Sequence, residues 1–171
     1  MFSSFAVVVA ALLISMSAAP ALAESVLQPW DGTPAPALVL KDIAGRSHDL
    51  TQYRGNVVLV NFWATWCEPC RHEMASIQTL KERLAGKPFV ALAVNVDEPE
   101  ARVRNFVAQT RLALPVLVDT NKTVTRAWGV RVLPATYIIG PDGRMRYRLL
   151  GDMDWNNDAT IGLLSQLMGG G

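Results

Sequence analysis

Residues 56–70 read NVVLVNFWATWCEPC, a run of apolar and β-branched residues that leads directly into a pair of cysteines. Such a run is typical of a central strand that is buried on both faces of a parallel sheet. The two cysteines are the only ones in a chain of 171 residues. The stretch therefore predicts a buried strand that delivers a Cys-x-x-Cys motif to the next element.

The segment that follows the motif is predicted to be a helix. Apolar residues recur at helical spacing from Met74 to Leu84, and Gly86 ends the pattern. Cys67 and Cys70 therefore lie at a strand-to-helix junction, where free N–H groups and the helix dipole favour a thiolate. We assign nucleophilic attack to Cys67, which lies nearest the exposed turn, and resolution of the mixed disulfide to Cys70.

Other uses of a Cys-x-x-Cys pair fit this chain less well. Covalent haem attachment needs His directly after the second cysteine, but Arg71 is there and His72 comes one position later. A structural zinc site needs four ligands, and only His48, His72 or carboxylates could complete it. A purely structural disulfide would close a loop too short to remove much chain entropy. We therefore expect a redox-active disulfide, with no metal and no other cofactor.

The residues next to the cysteines allow more than one interpretation. Thr65 and Glu68 match a capping box, so Glu68 is either a first-turn carboxylate or a group that tunes Cys67. Its negative charge disfavours a strongly acidic Cys67 thiol and argues against a strong oxidant. His72 is expected to be an exposed helix residue, and His48 a polar loop residue.

Three further side chains flank the pair. Glu73 follows Cys70 by three positions and shares its helical face, so it could exchange a proton with the resolving thiol. Spacing alone instead favours a solvated helix residue at this position. Alternating strand orientation predicts that Trp63 packs in the core and that Trp66 flanks the thiol.

Downstream of the motif, the pattern alternates between strands and helices. Such alternation implies parallel strands that are joined by right-handed crossovers. Two apolar runs around Pro141–Gly143 predict a closing antiparallel hairpin, because Pro-Asp-Gly is a strong turn sequence. The predicted elements are strands at 89–96 and 114–119, helices at 98–110, 122–129 and 155–168, and the hairpin at 135–151.

The N-terminus is predicted to be a signal peptide. An apolar core at residues 5–14 precedes Ala21-Leu22-Ala23, a pattern that signal peptidase accepts. The core is shorter than the roughly 20 residues that a spanning helix needs, so an uncleaved membrane anchor is the less favoured alternative. Ser3 and Ser4 stand where such peptides usually carry Lys or Arg. We expect a periplasmic or otherwise exported protein.

The remaining chain is expected to form one domain. Proline-rich residues 24–36 indicate a linker or N-terminal arm, residues 37–168 the domain, and residues 169–171 a flexible tail. Residues 37–50 predict two short strands around a turn at Ala44–Arg46. Sixteen Lys and Arg balance fifteen Asp and Glu, and no basic stripe appears, so a nucleic-acid partner is not expected.

NFWATWCEPC at 61–70, together with VLPATYIIGPDG at 132–143, resembles the thioredoxin superfamily, and specifically its TlpA/ResA-like branch of exported thiol-disulfide oxidoreductases. The resemblance extends over residues 35–168. It implies an α/β thioredoxin fold: a central mixed β-sheet flanked by helices, with an N-terminal β-hairpin. It also implies a central helix-strand insertion, which residues 98–119 match.

The resemblance also implies functional residues. Pro134 would be a cis-proline opposite the cysteines, where the backbone of Leu133 pairs with an extended substrate and Trp66 flanks it. Glu73 matches an acidic residue that this branch carries three positions after the second cysteine, which favours a role at Cys70. Asn61 stands where cytoplasmic thioredoxins keep a buried Asp, so the proton-handling role would pass to Glu73.

The implied activity is reduction of disulfide bonds in other proteins, with re-reduction by a membrane thiol electron donor of the DsbD/CcdA kind. Cytochrome c maturation is one candidate pathway, although its relatives usually carry Gly-Ala-Pro-Glu where residues 132–135 read Val-Leu-Pro-Ala. Two alternatives stay open: an oxidase or isomerase that donates the disulfide, and a non-enzymatic chaperone that binds Cu(I) through the cysteines.

Overall fold

The computed structural model describes residues 26–170, which form a six-stranded sheet, a two-stranded hairpin and four α-helices. In chain order the elements are β1 (Gln28–Pro29), β2 (Val39–Lys41), β3 (Ser47–Asp49), a 3-10 turn (Leu50–Tyr53), β4 (Val57–Trp63), α1 (Glu68–Arg83), β5 (Phe89–Val96), α2 (Glu100–Thr110), β6 (Val116–Asp119), α3 (Thr123–Ala127), β7 (Ala135–Ile139), β8 (Met145–Leu150) and α4 (Asp158–Gly169). The six-stranded sheet has the order β1-β8-β7-β4-β5-β6, and β2 pairs with β3.

Strand β4 is the centre of the sheet. It runs parallel to β5 and antiparallel to β7, and β5 runs parallel to β6. All seven residues of β4 are buried, as expected for a strand covered on both faces. The predicted parallel strands and the predicted central position of residues 57–63 are confirmed.

The side chains of β4 alternate between two apolar cores. Leu59 and Trp63 join the core that contains both cysteines and most of the buried face of α1. Val60 and Phe62 join the core on the other face, with Trp128 of the α3 end. Because side chains alternate along a strand, Asn61 lies on the same face as the cysteine core. The strand thus directs one polar side chain toward α1.

Strands β7 and β8 form an antiparallel hairpin, as predicted. Gly143 ends its turn with a φ of +71°, a conformation that glycine adopts without steric cost. The N–H of Arg144 donates to Asp142 Oδ1 at 3.1 Å and supports the same turn. The hairpin places β7, which follows Pro134, directly beside β4.

Two residues of the predicted linker or N-terminal arm join the six-stranded sheet. Gln28 and Pro29 form β1, which pairs antiparallel with Arg148 and Tyr147 of β8. Trp30 lies edge-on to the ring of Tyr137, with ring centroids 6.4 Å apart. A proline is tolerated because β1 is the edge strand, and this pairing joins residues 28–29 of the arm to the sheet.

The β2–β3 hairpin is present as predicted, but the prediction for His48 is wrong. His48 is buried, and its Nε2–H donates to Asp42 Oδ2 at 3.0 Å while Nδ1 faces the Tyr53 hydroxyl at 2.5 Å. The N–H of Ile43 donates to Val116 of β6 at 2.9 Å, which fastens the hairpin to the sheet edge. His48 is buried because the hairpin folds against the sheet and does not project as a loop.

Some predictions concern residues outside the described range. The signal peptide at residues 1–23 and the last glycine of the tail lie there. Of the other two tail glycines, Gly169 completes α4 and Gly170 caps it. Between residues 26 and 170, none of the helices has both the length and the apolar character needed to cross a membrane.

Candidate active site

The two cysteines form a disulfide at the start of α1. Cys67 is the N-cap of the helix, and its sulfur accepts the N–H of Cys70 at 3.3 Å. Cys67 is 6% exposed and Cys70 is completely buried, so only the first sulfur is open to an approaching partner. Pro69 is tolerated in the first turn because its missing N–H would have no acceptor within the helix.

The predicted capping box does not form. Glu68 is an exposed residue of the first turn, and Thr65 turns away to bind Glu98. The backbone N–H of Thr65 donates to Glu98 Oε2 at 2.7 Å, and its hydroxyl donates to Oε1 at 2.5 Å. Glu98 offers Thr65 a buried acceptor for both donors, whereas Glu68 faces water.

Glu98 is a site residue that the sequence analysis missed. It is buried after the end of β5, and it also accepts the side-chain N–H of Asn95 at 2.7 Å. It thereby fixes the turn that carries Trp66 and Cys67. A pattern could have pointed to it, since polar residues after neighbouring parallel strands meet at the same edge of a sheet.

Glu73 is buried, which contradicts the solvated residue that spacing alone favoured. Only 2% of it is exposed, and both carboxyl oxygens accept hydrogen bonds. The indole N–H of Trp155 donates to Oε1 at 2.5 Å, and the amide of Asn61 donates to Oε2 at 2.9 Å. The carboxyl therefore lies between α1, β4 and the loop before α4, on the helical face it shares with Cys70.

Burial dominates the electrostatics of this carboxyl. Desolvation raises the pKa of Glu73 from 4.5 to about 7, against the opposing hydrogen bonds from Trp155 and Asn61. The negative charge of Asp152 raises it further, and the backbone N–H of Met153 lowers it. A group with this pKa exchanges its proton near neutral pH and can act as both acid and base.

Asn61 links the carboxyl to the far side of the site. The same amide nitrogen donates to the hydroxyl of Thr136 on β7 at 2.9 Å. Thr136 lies two residues after Pro134, and the Leu133–Pro134 peptide bond is cis, as the resemblance implied. One amide therefore joins α1 to the strand that begins beside the cis-proline.

An open groove of about 510 Å³ is lined by Trp66, the residue that precedes Cys67, and by Leu133. Trp66 and Val132 are large apolar residues on its surface, 67% and 52% exposed, and Leu133 lies next to them. Its charged lining residues are Asp97, Lys122 and Arg131, and Lys122 forms an ion pair with Asp97 at 2.6 Å. Trp66 and Leu133, which were predicted as substrate-binding residues from distant parts of the chain, thus line the same groove. Pro134, the third predicted substrate-binding residue, is buried.

The other predicted neighbours take their expected places. Trp63 is completely buried and packs against Phe106, with ring centroids 5.3 Å apart. His72 is exposed on α1. In the part of the chain that the structure describes, no three His, Cys, Asp or Glu side chains are grouped to hold a metal ion.

The chain is similar to proteins of known class. The thiol-disulfide oxidoreductase ResA of Geobacillus thermodenitrificans is 40% identical over 122 residues, which cover 71% of this chain and 70% of that protein. ResA of Bacillus subtilis is 35% identical over 123 residues, or 72% and 69% of the two chains. A crystal structure described as the thiol:disulfide interchange protein DsbE of Chlorobium tepidum superposes with a TM-score of 0.74 at 27% identity, covering 81% of this chain and 97% of that one.

The fold, the disulfide and these relatives define a thiol-disulfide oxidoreductase with the thioredoxin fold. The AhpC/TSA family matches residues 32–148, and the chain belongs to that family. The predicted superfamily, fold class and enzyme class are confirmed.

Proposed function

We propose that the protein is exported and reduces disulfide bonds in other proteins. The observation that carries the proposal is the buried carboxyl of Glu73, one turn after Cys70, whose pKa of about 7 suits proton exchange at neutral pH. Such a group can take the proton of a resolving thiol and later return it. The exposed Glu68 supports a reductant, because its charge disfavours an unusually acidic Cys67.

In the proposed cycle, the Cys67 thiolate attacks one sulfur of a client disulfide, and the other client sulfur leaves with the electron pair. Glu73, as a carboxylate, then takes the proton of the Cys70 thiol. The Cys70 sulfur attacks Cys67 and releases the second client sulfur as a thiolate, so that the Cys67–Cys70 disulfide forms. The client gains two electrons and leaves as two thiolates, which take up protons from water; Glu73 holds the Cys70 proton until it releases it, and the protein is oxidised.

The client is proposed to bind as an extended segment in the groove that Trp66 and Leu133 line. Trp66 and Val132 offer exposed apolar surface there, and the backbone of Leu133 would pair with the segment next to Pro134. The arrangement would present a client sulfur to Cys67, the more exposed of the two cysteines.

The electron source is proposed to be a membrane thiol donor of the DsbD/CcdA kind, since an oxidising compartment supplies few electrons. The signal-like residues 1–23 support export, and N-terminal sequencing of the secreted protein would test it. Cytochrome c maturation is one candidate pathway, although residues 132–135 read Val-Leu-Pro-Ala where its reductases usually carry Gly-Ala-Pro-Glu.

The reduction potential of the Cys67–Cys70 couple is the first test. We expect a value near about −270 mV, close to that of thioredoxin, by equilibration against a thiol buffer at neutral pH. A value near about −120 mV would contradict the reductase and identify a disulfide donor, as in an oxidase or isomerase.

Trapping of an intermediate is the second test. Cys70→Ser should form a covalent adduct with insulin through Cys67, which dithiothreitol reverses, because the resolving sulfur is missing. Cys67→Ser is the matched control and should form none. A protein that binds Cu(I) through the two cysteines but gives no adduct would contradict the enzyme and support the metal chaperone.

A further inference from the structure

Trp155 lies in the loop between β8 and α4 and contacts the carboxyl that the proposed cycle uses. Its indole is completely buried, and its N–H donates to Glu73 Oε1 at 2.5 Å from a position 82 residues further along the chain. An indole N–H can only donate. In a buried site, where water does not replace the contact, such a donor favours the charged form of a carboxyl.

The loop is held against α1 at several points. The backbone N–H of Trp155 donates to the hydroxyl of Ser76 at 3.1 Å, and that hydroxyl donates to the carbonyl of Glu73 at 2.8 Å. At the far end of the helix, Arg83 donates to Asn156 and to Asp158 at 3.0 Å each. These contacts fix the indole relative to the helix that carries Cys70 and Glu73.

A second buried tryptophan shows that burial alone does not produce this contact. Trp63 is as completely buried as Trp155 and belongs to the same apolar core. Its indole N–H has no hydrogen-bond partner among the described residues. The core therefore accommodates an indole without a polar partner, and the Trp155–Glu73 contact is a specific feature of the site.

We propose that Trp155 is a positioning residue for thiol-disulfide exchange: its indole N–H orients the Glu73 carboxyl and favours its charged form. The loop before α4 would thereby set the pH range in which Cys70 resolves the mixed disulfide. This inference rests on the proposed role of Glu73 as the group that takes the Cys70 proton.

The other groups that act on Glu73 come from each element around it. Asp152, on the same loop as Trp155, opposes ionisation by its charge, and the backbone N–H of Met153 favours it. Strand β4 contributes the neutral amide of Asn61, and Cys70 precedes Glu73 by three positions on α1. Trp155 and Asn61 are therefore the two side chains that oppose the desolvation of the carboxylate.

The test compares Trp155→Phe with Trp63→Phe, which both remove one buried indole N–H from the same core. The Glu73 ionisation midpoint is read in the oxidised protein from the pH dependence of its carboxyl ¹³C resonance. Trp155→Phe should raise the midpoint by about 1 pH unit, because a hydrogen bond to the charged form is lost. Trp63→Phe should leave it at the wild-type value. No shift in Trp155→Phe, or an equal shift in both variants, would overturn the proposal.

The kinetic readout is the reaction of the reduced protein with the aromatic disulfide DTNB. The first thionitrobenzoate ion is released when Cys67 attacks, and the second when Cys70 resolves the adduct. In Trp155→Phe the acid limb of the pH profile of the second phase should shift to higher pH by the same amount. The second phase should therefore be about tenfold slower at pH 6, while the rate of the first phase stays unchanged. A second phase with the wild-type pH profile would contradict the proposal.

A measurement on the unaltered protein decides the matter if Trp155→Phe does not fold. Of the five tryptophans, Trp155 should have an indole ¹⁵N–¹H resonance that moves with the Glu73 midpoint, and Glu73→Gln should abolish that movement. A Trp155 resonance that ignores this midpoint would overturn the proposal. If the wild type shows no second phase with DTNB, the proposed function fails. The Trp155 indole resonance then still tests whether the indole N–H acts on the Glu73 carboxyl.

Discussion

Two buried carboxyl groups in this protein are tuned in opposite directions. Asp42 in the β2–β3 hairpin and Glu73 on α1 are both almost completely buried. Burial would raise both pKa values, yet that of Asp42 is lowered to about 2 while that of Glu73 is raised to about 7. The two carboxyls are enclosed differently: Asp42 bonds to Arg46, whose side chain is 70% exposed, whereas both side-chain partners of Glu73 are buried.

The number and charge of the donors add to this difference. Asp42 accepts the backbone N–H groups of Ala44 and Arg46 at 2.9 Å each, the guanidinium of Arg46 at 2.8 Å, and His48 at 3.0 Å. Glu73 has two neutral side-chain donors, Trp155 and Asn61, and an unfavourable neighbouring charge. Several donors, one of them charged, outweigh desolvation, whereas two neutral donors do not. The groups around Asp42 therefore stabilise its charged form as part of the structure, whereas Glu73 can gain or lose a proton near neutral pH.

The largest expected effect comes from Glu73, which lowers the free energy of unfolding as the pH rises. Its folded pKa lies above its unfolded value of 4.5, so the folded state binds the extra proton and stability falls as pH rises from 4.5 through about 7. The loss amounts to about 3 kcal/mol. Glu73→Gln should remove this dependence and be the more stable protein at pH 8, as measured by urea unfolding of the oxidised form.

A control for Glu73→Gln is Glu68→Gln, which alters an exposed carboxyl on the same helix. It should shift stability by less than ~0.5 kcal/mol at either pH. If wild type and Glu73→Gln lose stability in parallel between pH 5 and pH 8, the contrast between the two buried carboxyls does not hold.

The second effect concerns Asp42 and has the opposite sign. Its folded pKa lies below the unfolded value of 3.8, so its contribution is present above pH 3.8 and is lost as pH falls toward 2. Asp42→Asn should destabilise the protein by about 2 kcal/mol at pH 7, and the difference should shrink below pH 3.8. Unfolding by urea at several pH values measures it.

Glu100→Gln provides the comparison for Asp42→Asn. Glu100 forms an exposed ion pair with Arg104, both about half exposed, and such a pair contributes less than ~1 kcal/mol. Equal destabilisation by the two substitutions would show that the buried network around Asp42 adds nothing beyond an ordinary ion pair.

The smallest effect is expected at Glu98, a third buried carboxyl. Glu98→Gln keeps one acceptor oxygen but weakens the bonds to Thr65, so it should lower stability by about 1 kcal/mol. Because the turn that carries Cys67 loosens, the first phase with DTNB should also slow by severalfold. A variant with wild-type stability and wild-type first phase would show that Thr65 does not need this acceptor.

The elements of the fold were largely predictable from local patterns. The buried run at 57–63, the helix after the cysteines and the hairpin at Pro141–Gly143 all have strong periodicity or turn chemistry, and the structure confirms them. Errors arose where a residue had two possible partners. Thr65 matches a local capping box, but a buried acceptor 33 residues away binds both its N–H and its hydroxyl.

The same limit applies to the arm and to His48. Residues 28–29 have no apolar periodicity, because an edge strand is specified by its neighbour β8 and not by its own pattern. His48 has polar neighbours in sequence and becomes buried only when the hairpin folds against the sheet. Neither outcome is encoded in a window of a few residues.

Local sequence is enough to predict the strand, the Cys-x-x-Cys pair and the helix that begins between the cysteines, because each depends on neighbouring residues and their periodicity. The burial of Glu73 and the hydrogen bonds from Trp155 and Asn61 to its carboxyl arise only in the folded protein. Desolvation and hydrogen bonding depend on groups far apart in the chain, here 12 and 82 residues away, which meet only after the sheet and its helices have packed.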